Sequence, residues 1–371
     1  MSKTLHIVSF SVPWPPDYGG AMDVFYKIKA LHRLGVRIIL HCFLYNRIPS
    51  DELLKYCAEV YYYPRNPAFI NQLSLIPYII KSRESRSLLN RLAADGYPVL
   101  FEGLHTTLYL GHSTLKHKQQ WVRAHNIEHD YYHSLARAEG LIHRKLFFRL
   151  EAWKLEKYSL HLSAATGVMA ISPGDAAALK SGNPNTHLVP AFHGYETITS
   201  KTGKGDYLLY HGDLSVPENN HSAEFILEVC KNLPYKLIVA GKNPAHKLRQ
   251  IIAQNQDAVL IENPLATEME NLIRNAGAIL LPAQQTTGLR LKLLVSLFTG
   301  RHSIASPQMV EKTGLEKICH IASGKIEWQK TIQRCMSTPF TTHHIEQRKA
   351  PLEPFLDDAN ALQIKNLIFG E

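Results

Sequence analysis

Four short stretches of the 371-residue sequence hold side chains able to do chemistry. In VRAHNIEHD (122–130), a strand-like run ends in His125-Asn126, with Glu128 two residues on. A histidine there can donate to a sugar hydroxyl or carry a proton near neutral pH. In SVPWPPDYGGAMD (11–23), Gly19-Gly20 stands just before a helical pattern, so backbone could approach a phosphate or sugar with no Cβ in the way. The plain alternative is a helix-entry turn. The pair is not a GxGxxG fingerprint, which argues against a nicotinamide cofactor. In HGDLSVPENN (211–220), Gly212 ends a strand ahead of a polar loop and a helix, another place for a phosphate or sugar. In LPAQQTTGLRLKLLVSLFTG (281–300), Gly288 precedes a helix with Arg290 and Lys292 in its first turn. Cations are disfavoured beside the positive end of a helix. A diphosphate would reverse that balance by drawing free N–H groups and both cations onto itself. Without such a ligand the two are solvated charges on an exposed turn.

All four stretches fall where a strand gives way to a helix. TLHIVSFS (4–11), VRIILHCF (36–43), AEVYYYP (58–64), PVLFEG (98–103), QQWVRAH (119–125) and ATGVMAIS (165–172) read as strands. Between the first two, Val24, Ile28 and Leu31 mark a helix face closed by Gly35, and residues 130–160 read as one long helix. After a polar break at 195–205 the alternation restarts with strands at 206–212, 235–241, 257–262, 276–283 and 302–306. Apolar runs without polar alternation suit parallel strands covered on both faces. The expectation is an α/β protein of two facing, doubly wound Rossmann-like domains, 1–197 and 204–345, with a C-terminal helix at about 352–371 packing back onto the first. Ligands of such sheets bind beyond the carboxyl ends of the strands, which is where the four stretches lie.

Composition narrows the classes. Forty-one Lys+Arg against 32 Asp+Glu give a net charge of +9, without a basic tract or a nucleic-acid motif. Nucleic acid is not an expected partner. The longest apolar runs, LSLIPYII (73–80) and GAILLPA (277–283), are far short of the roughly 20 residues of a membrane span. Five scattered cysteines without CxxC spacing point to a reduced, cytoplasmic protein. HxxxH spacing recurs (His125 and His129, His129 and His133) without HExxH, so no metal is expected. YYYPRNPAFINQLSLIPYIIKSRESR mixes aromatic, apolar and cationic residues; it reads as a buried helix with a charged end, or as a surface element against anionic lipid at the inner face of the membrane.

Taken in order along the chain, these motifs resemble the retaining GT-B glycosyltransferases of the group 1 (family 4) type. The similarity runs through PWPPDYGGAMDVFYKIKALHRLGVRIIL, then Arg123, His125, Asn126 and Glu128, then ISPGDAAAL and LVPAFHG. It continues through YHGDLSVPENNHSAEF, with Gly212, Pro217, Asn220 and Ala223, into GLRLKLLVSLFTGRHSIAS. Where the family places a ribose-holding Glu five residues before the last glycine, this chain has Val295, and Thr287 stands in place of the partner acid.

The resemblance implies a hexosyltransferase, for instance a mannosyltransferase of polysaccharide biosynthesis. It would use a GDP- or UDP-hexose and a glycan or lipid-linked acceptor, and retain anomeric configuration without metal or other cofactor. It assigns donor binding to Gly19, Gly20, Gly212, Gly288, Leu289, Arg290 and Lys292, catalysis to His125 and Glu128, and acceptor contacts to Trp14, Asp17, Tyr18, Arg123 and Asn126. Val295 and Thr287 also suit a non-catalytic GT-B protein acting as a partner in polysaccharide assembly.

Overall fold

A computed structural model of the chain describes residues 3–283 and 291–370. Among the described residues, thirteen strands form two sheets. The first holds β1 (Thr4–Ser9), β2 (Arg37–Leu44), β3 (Glu59–Pro64), β4 (Val99–Glu102), β5 (Gln120–Ala124), β6 (Gly167–Ala170) and β7 (Thr186–Leu188), in the order β3-β2-β1-β4-β5-β6-β7. The second holds β8 (Tyr207–Asp213), β9 (Lys236–Lys242), β10 (Ala258–Glu262), β11 (Ala278–Leu281), β12 (His302–Ala305) and β13 (His320–Ile321), in the order β10-β9-β8-β11-β12-β13. The described pairings are parallel. In both sheets the order reverses beside the first strand, between β1 and β4 and between β8 and β11, which places a ligand crevice at the carboxyl ends of those strands.

The chain divides into two compact units. One runs to Gly194 and takes up the chain again from Phe355; the other runs from Tyr195 to Pro354. In the first, the apolar side of helix Gly19–Arg33 (Val24, Ile28, Leu31) packs on Leu5, Ile7, Ile38 and Leu40 of the sheet. Helix Asp357–Phe369 closes that core with Ala361, Ile364 and Ile368. Each fully buried isoleucine contributes about 1.5–3 kcal/mol. Asp357, at the start of that helix, accepts from the amides of His193 (3.0 Å) and Gly194 (2.8 Å), so the returning chain is pinned where the first unit ends.

In the second unit Leu208, Tyr210, Val239, Leu280 and Ile304 meet Trp328 and Ile332 of helix Gly324–Ser337. Buried Arg348, on helix Thr342–Leu352, donates to the carbonyls of Leu297 (2.8 Å) and Gly300 (2.7 Å) and so satisfies carbonyls at the buried carboxyl end of helix Leu291–Thr299.

The long helix read at 130–160 is two helices, Glu128–Ala138 and Ile142–Ser159. Glu139 leaves the helix in an extended conformation (ψ 130°), and the two helices pack together, with Tyr132 edge-on to Phe148 at 6.0 Å. The very short β7 and β13 have too few residues to show a period in the sequence.

Candidate functional site

A buried charge network lies at the carboxyl edge of the first sheet. Asp23 and Lys27 sit one turn apart on helix Gly19–Arg33, both buried. Glu102 ends β4, and Arg123 lies in β5 with His125 just beyond it. Lys27 Nζ donates to Asp23 Oδ2 (3.0 Å) and Glu102 Oε2 (2.9 Å). Arg123 grips Asp23 with two nitrogens (2.8 and 3.2 Å), and its guanidinium also donates to the carbonyls of Val189 and Pro190. Burial alone would raise the Asp23 carboxyl. The Arg123 guanidinium and the Lys27 ammonium outweigh it and hold the carboxyl well below its usual range. Two carboxylates, Asp23 and Glu102, face two cations, Lys27 and Arg123, so these four side chains balance in charge.

The network orients one imidazole. His125 Nε2 donates to Glu102 Oε2 at 3.0 Å, which leaves the lone pair on Nδ1. That Nδ1 is buried and has no hydrogen-bond partner. His105, just after β4, also holds a buried Nδ1 without a hydrogen bond, 3.7 Å from Glu128 Oε1. Gly103 makes this possible: at φ 68° it suits glycine, and a Cβ there would lie 2.9 Å from that nitrogen. The Phe10 ring lies 5.4 Å from both imidazoles. Burial pushes Glu128 up to about 8, against the pull of Arg83, so its carboxyl is mostly protonated at neutral pH. Burial pushes His105 well below 6.5, helped by Arg83 and His125, so this imidazole is neutral. Buried polar atoms rarely lack partners, and these two nitrogens, both just beyond strand ends, keep acceptor capacity for a hydroxyl donor.

The other residues expected in this unit fall around the network in different roles. Arg123 is fully buried and engaged by Asp23 and backbone, so it supports the network and does not face an acceptor. Trp14 packs on Phe25 at 5.0 Å, joining the core. Asp17 pairs with Arg47, which also donates to the carbonyls of Val12 and Pro15 and stacks on Tyr18 at 4.8 Å. Tyr18 Oη is 2.7 Å from Ser11 Oγ. Gly19 opens its helix, and a Cβ on Gly20 would come within 2.8 Å of the Phe10 ring, so the missing side chain there admits Phe10. Asn126 is partly buried beside His125. Asp23, Lys27, Glu102 and His105 were not anticipated from the sequence. The signal present was an acid closing the apolar strand PVLFE and a charged pair four residues apart on a core-facing helix side.

The second unit holds a different centre. Lys292, in the first turn of helix Leu291–Thr299, donates to Asn219 Oδ1 at 2.6 Å and lies over the Tyr210 ring at 5.5 Å. Asn219 in turn donates to the carbonyl of Asp213 (2.7 Å). Gly212 gives the ammonium its place, because a Cβ on Gly212 would stand 2.7 Å from Lys292 Nζ. Among the described residues no carboxylate forms an ion pair with this lysine. Burial lowers it to about 8, with Glu218 and Asp213 pulling the other way from a distance. Gly288, Leu289, Arg290 and Thr287 lie outside the described residues. Val295 is buried on the Lys292 helix.

Among the described residues, two clusters have donor sets that could hold a metal. Asp23, Glu102 and His125 bring three ligand atoms within 4.8 Å, but Lys27 and Arg123 already neutralise the carboxylates. His302, His320 and Cys335 do the same at the amino ends of β12 and β13. There burial pushes the Cys335 thiol up to about 12, and the Arg334 and Arg348 cations beside His320 oppose a further positive charge.

No protein-family profile matches this sequence. The "Uncharacterized 44.6 kDa protein in cps region" of Klebsiella pneumoniae is 26% identical over 338 residues, covering 85% of each chain. Among solved structures, the apo lipopolysaccharide outer core galactosyltransferase WaaB superposes with a TM-score of 0.64 at 13% identity, with 99% of each chain covered. The fold is GT-B. An alpha,alpha-trehalose-phosphate synthase (UDP-forming) from Burkholderia vietnamiensis shares this fold at a TM-score of 0.63 and 9% identity, over 99% of this chain and 97% of that one. In this GT-B chain each Rossmann-like unit carries one of the two centres at the carboxyl edge of its sheet.

Proposed function

We propose that the protein is a glycosyltransferase that moves a hexose from a nucleotide-diphosphate sugar to a hydroxyl of a glycan or lipid-linked acceptor. In this reading anomeric configuration is retained and no metal is needed. The observation that carries it is Lys292, a partly buried cation at a helix start, hydrogen-bonded to a neutral amide and seated against Gly212. A diphosphate supplies the missing negative charge, and the helix N-terminus adds free N–H groups.

Reaction breaks the bond between the anomeric carbon and the diphosphate oxygen and joins that carbon to the acceptor oxygen. The acceptor's proton leaves on the departing diphosphate. Lys292 stabilises the charge that develops there, which is the role a metal would otherwise fill. In the first unit His125 Nδ1 and His105 Nδ1 accept hydroxyl hydrogens of the sugar or acceptor, and Glu128, protonated, donates to a substrate oxygen. Asp23, Lys27, Glu102 and Arg123 are positioning residues that hold the His125 ring. A bound hexose and a soluble acceptor meet the protein as cytoplasmic substrates; a lipid-linked acceptor would bring it to a membrane surface.

The neighbours' names support this reading, one being a galactosyltransferase and another a UDP-forming synthase, as does the relative's place in a cps region. A screen of UDP- and GDP-hexoses with lipid-linked and soluble glycan acceptors, read by nucleotide release, tests it. Acceptor-dependent release with one donor is expected; none across the panel would contradict it. Val295, an apolar residue where the resemblance expects a ribose-holding carboxylate, favours a second reading, a non-catalytic partner in polysaccharide assembly. A well-folded protein that binds neither UDP nor GDP would support that one.

A further inference from the structure

Helix Ile142–Ser159 is apolar on two sides. Its inner side, with Ala152, Leu155 and Tyr158, is buried in the first unit. Its outer side carries Ile142, Leu146, Leu150 and Trp153, spaced i, i+4, i+8 and i+11, which at 100° per residue share an arc of about 80°. These four are 77%, 58%, 49% and 50% exposed. Four large apolar side chains this exposed on one side of a helix form a patch that calls for a cover.

A second exposed apolar element adjoins it. In the segment 69–75, Phe69, Ile70, Leu73 and Leu75 point into solvent, Leu75 at 84% exposure. Lys154 Nζ donates to the carbonyl of Gln72 (2.8 Å), the Tyr78 amide donates to Glu151 Oε2 (2.6 Å), and Tyr78 meets Phe147 edge-on at 6.4 Å. The segment is therefore seated along the flank of the helix, beside the stripe. Lys145 and Arg149 border the stripe, with one acid, exposed Glu156, on that flank, and Lys157 continues it; among the described residues none of the three cations forms an ion pair.

We propose that this face docks the first unit onto an anionic bilayer. The charge pattern selects that occupant: protruding apolar side chains fringed by cations, with a tryptophan at half exposure, match the boundary between acyl chains and phosphate headgroups. Knobs this exposed suit a deformable surface. The segment follows β3 and the helical pair follows β5, so the face belongs to the unit that also holds His105 and His125. The inference gives the acceptor of the proposed reaction a membrane origin and rests on that reading only for its purpose, since docking is measured without turnover.

The full chain is tested by co-sedimentation with vesicles of phosphatidylcholine alone and of phosphatidylcholine with about one-third phosphatidylglycerol. Binding is expected to the anionic vesicles only, weakening as salt rises, with a blue shift of tryptophan emission. Ile142→Glu combined with Leu75→Glu, both at exposed positions, should weaken it at least about tenfold, and Lys145→Glu with Arg149→Glu should weaken it too. Both variants should keep wild-type turnover with a soluble acceptor. Wild-type protein that ignores anionic vesicles, variants that bind as wild type, or a dimer in solution that the Glu variants dissociate would each overturn the proposal. Vesicle binding without turnover would count against the transferase reading alone.

Discussion

The network in the first unit and the lysine in the second show two ways of keeping charge in a protein interior. Around Asp23, two carboxylates, a lysine and an arginine neutralise one another with no ligand present, and the product is one oriented imidazole, His125. Around Lys292 a single cation has an amide and a ring for company. The first arrangement is complete as it stands, and its value is positional. The second is unfinished until an anion arrives, so its value is in binding. Substitutions in the two places should therefore register in different measurements.

The largest effect is expected from the network. Asp23→Ala leaves Arg123 and Lys27 short of a carboxylate in the core, which costs about 3–5 kcal/mol for a broken buried pair. Urea unfolding would show it as a lower midpoint, and a loss under 1 kcal/mol would mean the network is wetter than its burial indicates. Lys292→Ala should behave oppositely: unfolding close to wild type, but turnover down about 10²- to 10³-fold, as for removal of a donor facing developing charge. A large stability loss with normal turnover would erase the contrast.

His125→Ala leaves the charges paired and removes only the oriented ring. It should lower kcat by about 10- to 100-fold, less than a typical loss of general acid–base function, with little change in nucleotide affinity. If nucleotide affinity falls instead, the division of labour between the units is wrong.

Titration offers the finest comparison, since both centres hold a group moved by burial to about 8, from opposite directions. Lys292 starts low and a diphosphate would raise it, so nucleotide binding is strongest when the lysine is protonated. Affinity should be flat below pH 8 and fall up to tenfold per unit above it. Glu128 starts at 4.5 in the unfolded chain and titrates near 8 when folded. The native state then holds the extra proton, and wild-type stability is lost as pH rises from about 4.5 to 8, by at most 1.4 kcal/mol per unit from this group. Glu128→Gln should remove that slope and be the more stable protein at pH 8. An unchanged slope would place Glu128 in contact with water.

The sequence made the strand ends legible because parallel strands covered on both faces are uninterrupted apolar runs, and the loops after them stand out by contrast. His125 and Lys292 were visible for that reason. Asp23 and Lys27 were not: a charged pair four residues apart reads as solvated unless its partners are known, and Glu102 and Arg123 are 75 and 100 residues away along the chain. Gly20 shows a subtler limit. The absence of a Cβ was readable, but what fills the space, the Phe10 ring, depends on tertiary packing. On helix Ile142–Ser159 the buried side holds Glu151 and Lys154 while the exposed side holds Ile142, Leu146, Leu150 and Trp153, so periodicity could not say which one faced out.

The central claim, that Lys292 beside Gly212 receives the diphosphate of a nucleotide sugar, is met most directly by calorimetry of the full chain with UDP and with GDP, on wild type and Lys292→Ala. One of the two nucleotides should bind wild type at one site per chain, and the substitution should weaken it at least about 100-fold in a protein that still unfolds cooperatively. Wild type that binds neither nucleotide, or a variant that binds as wild type does, would contradict it.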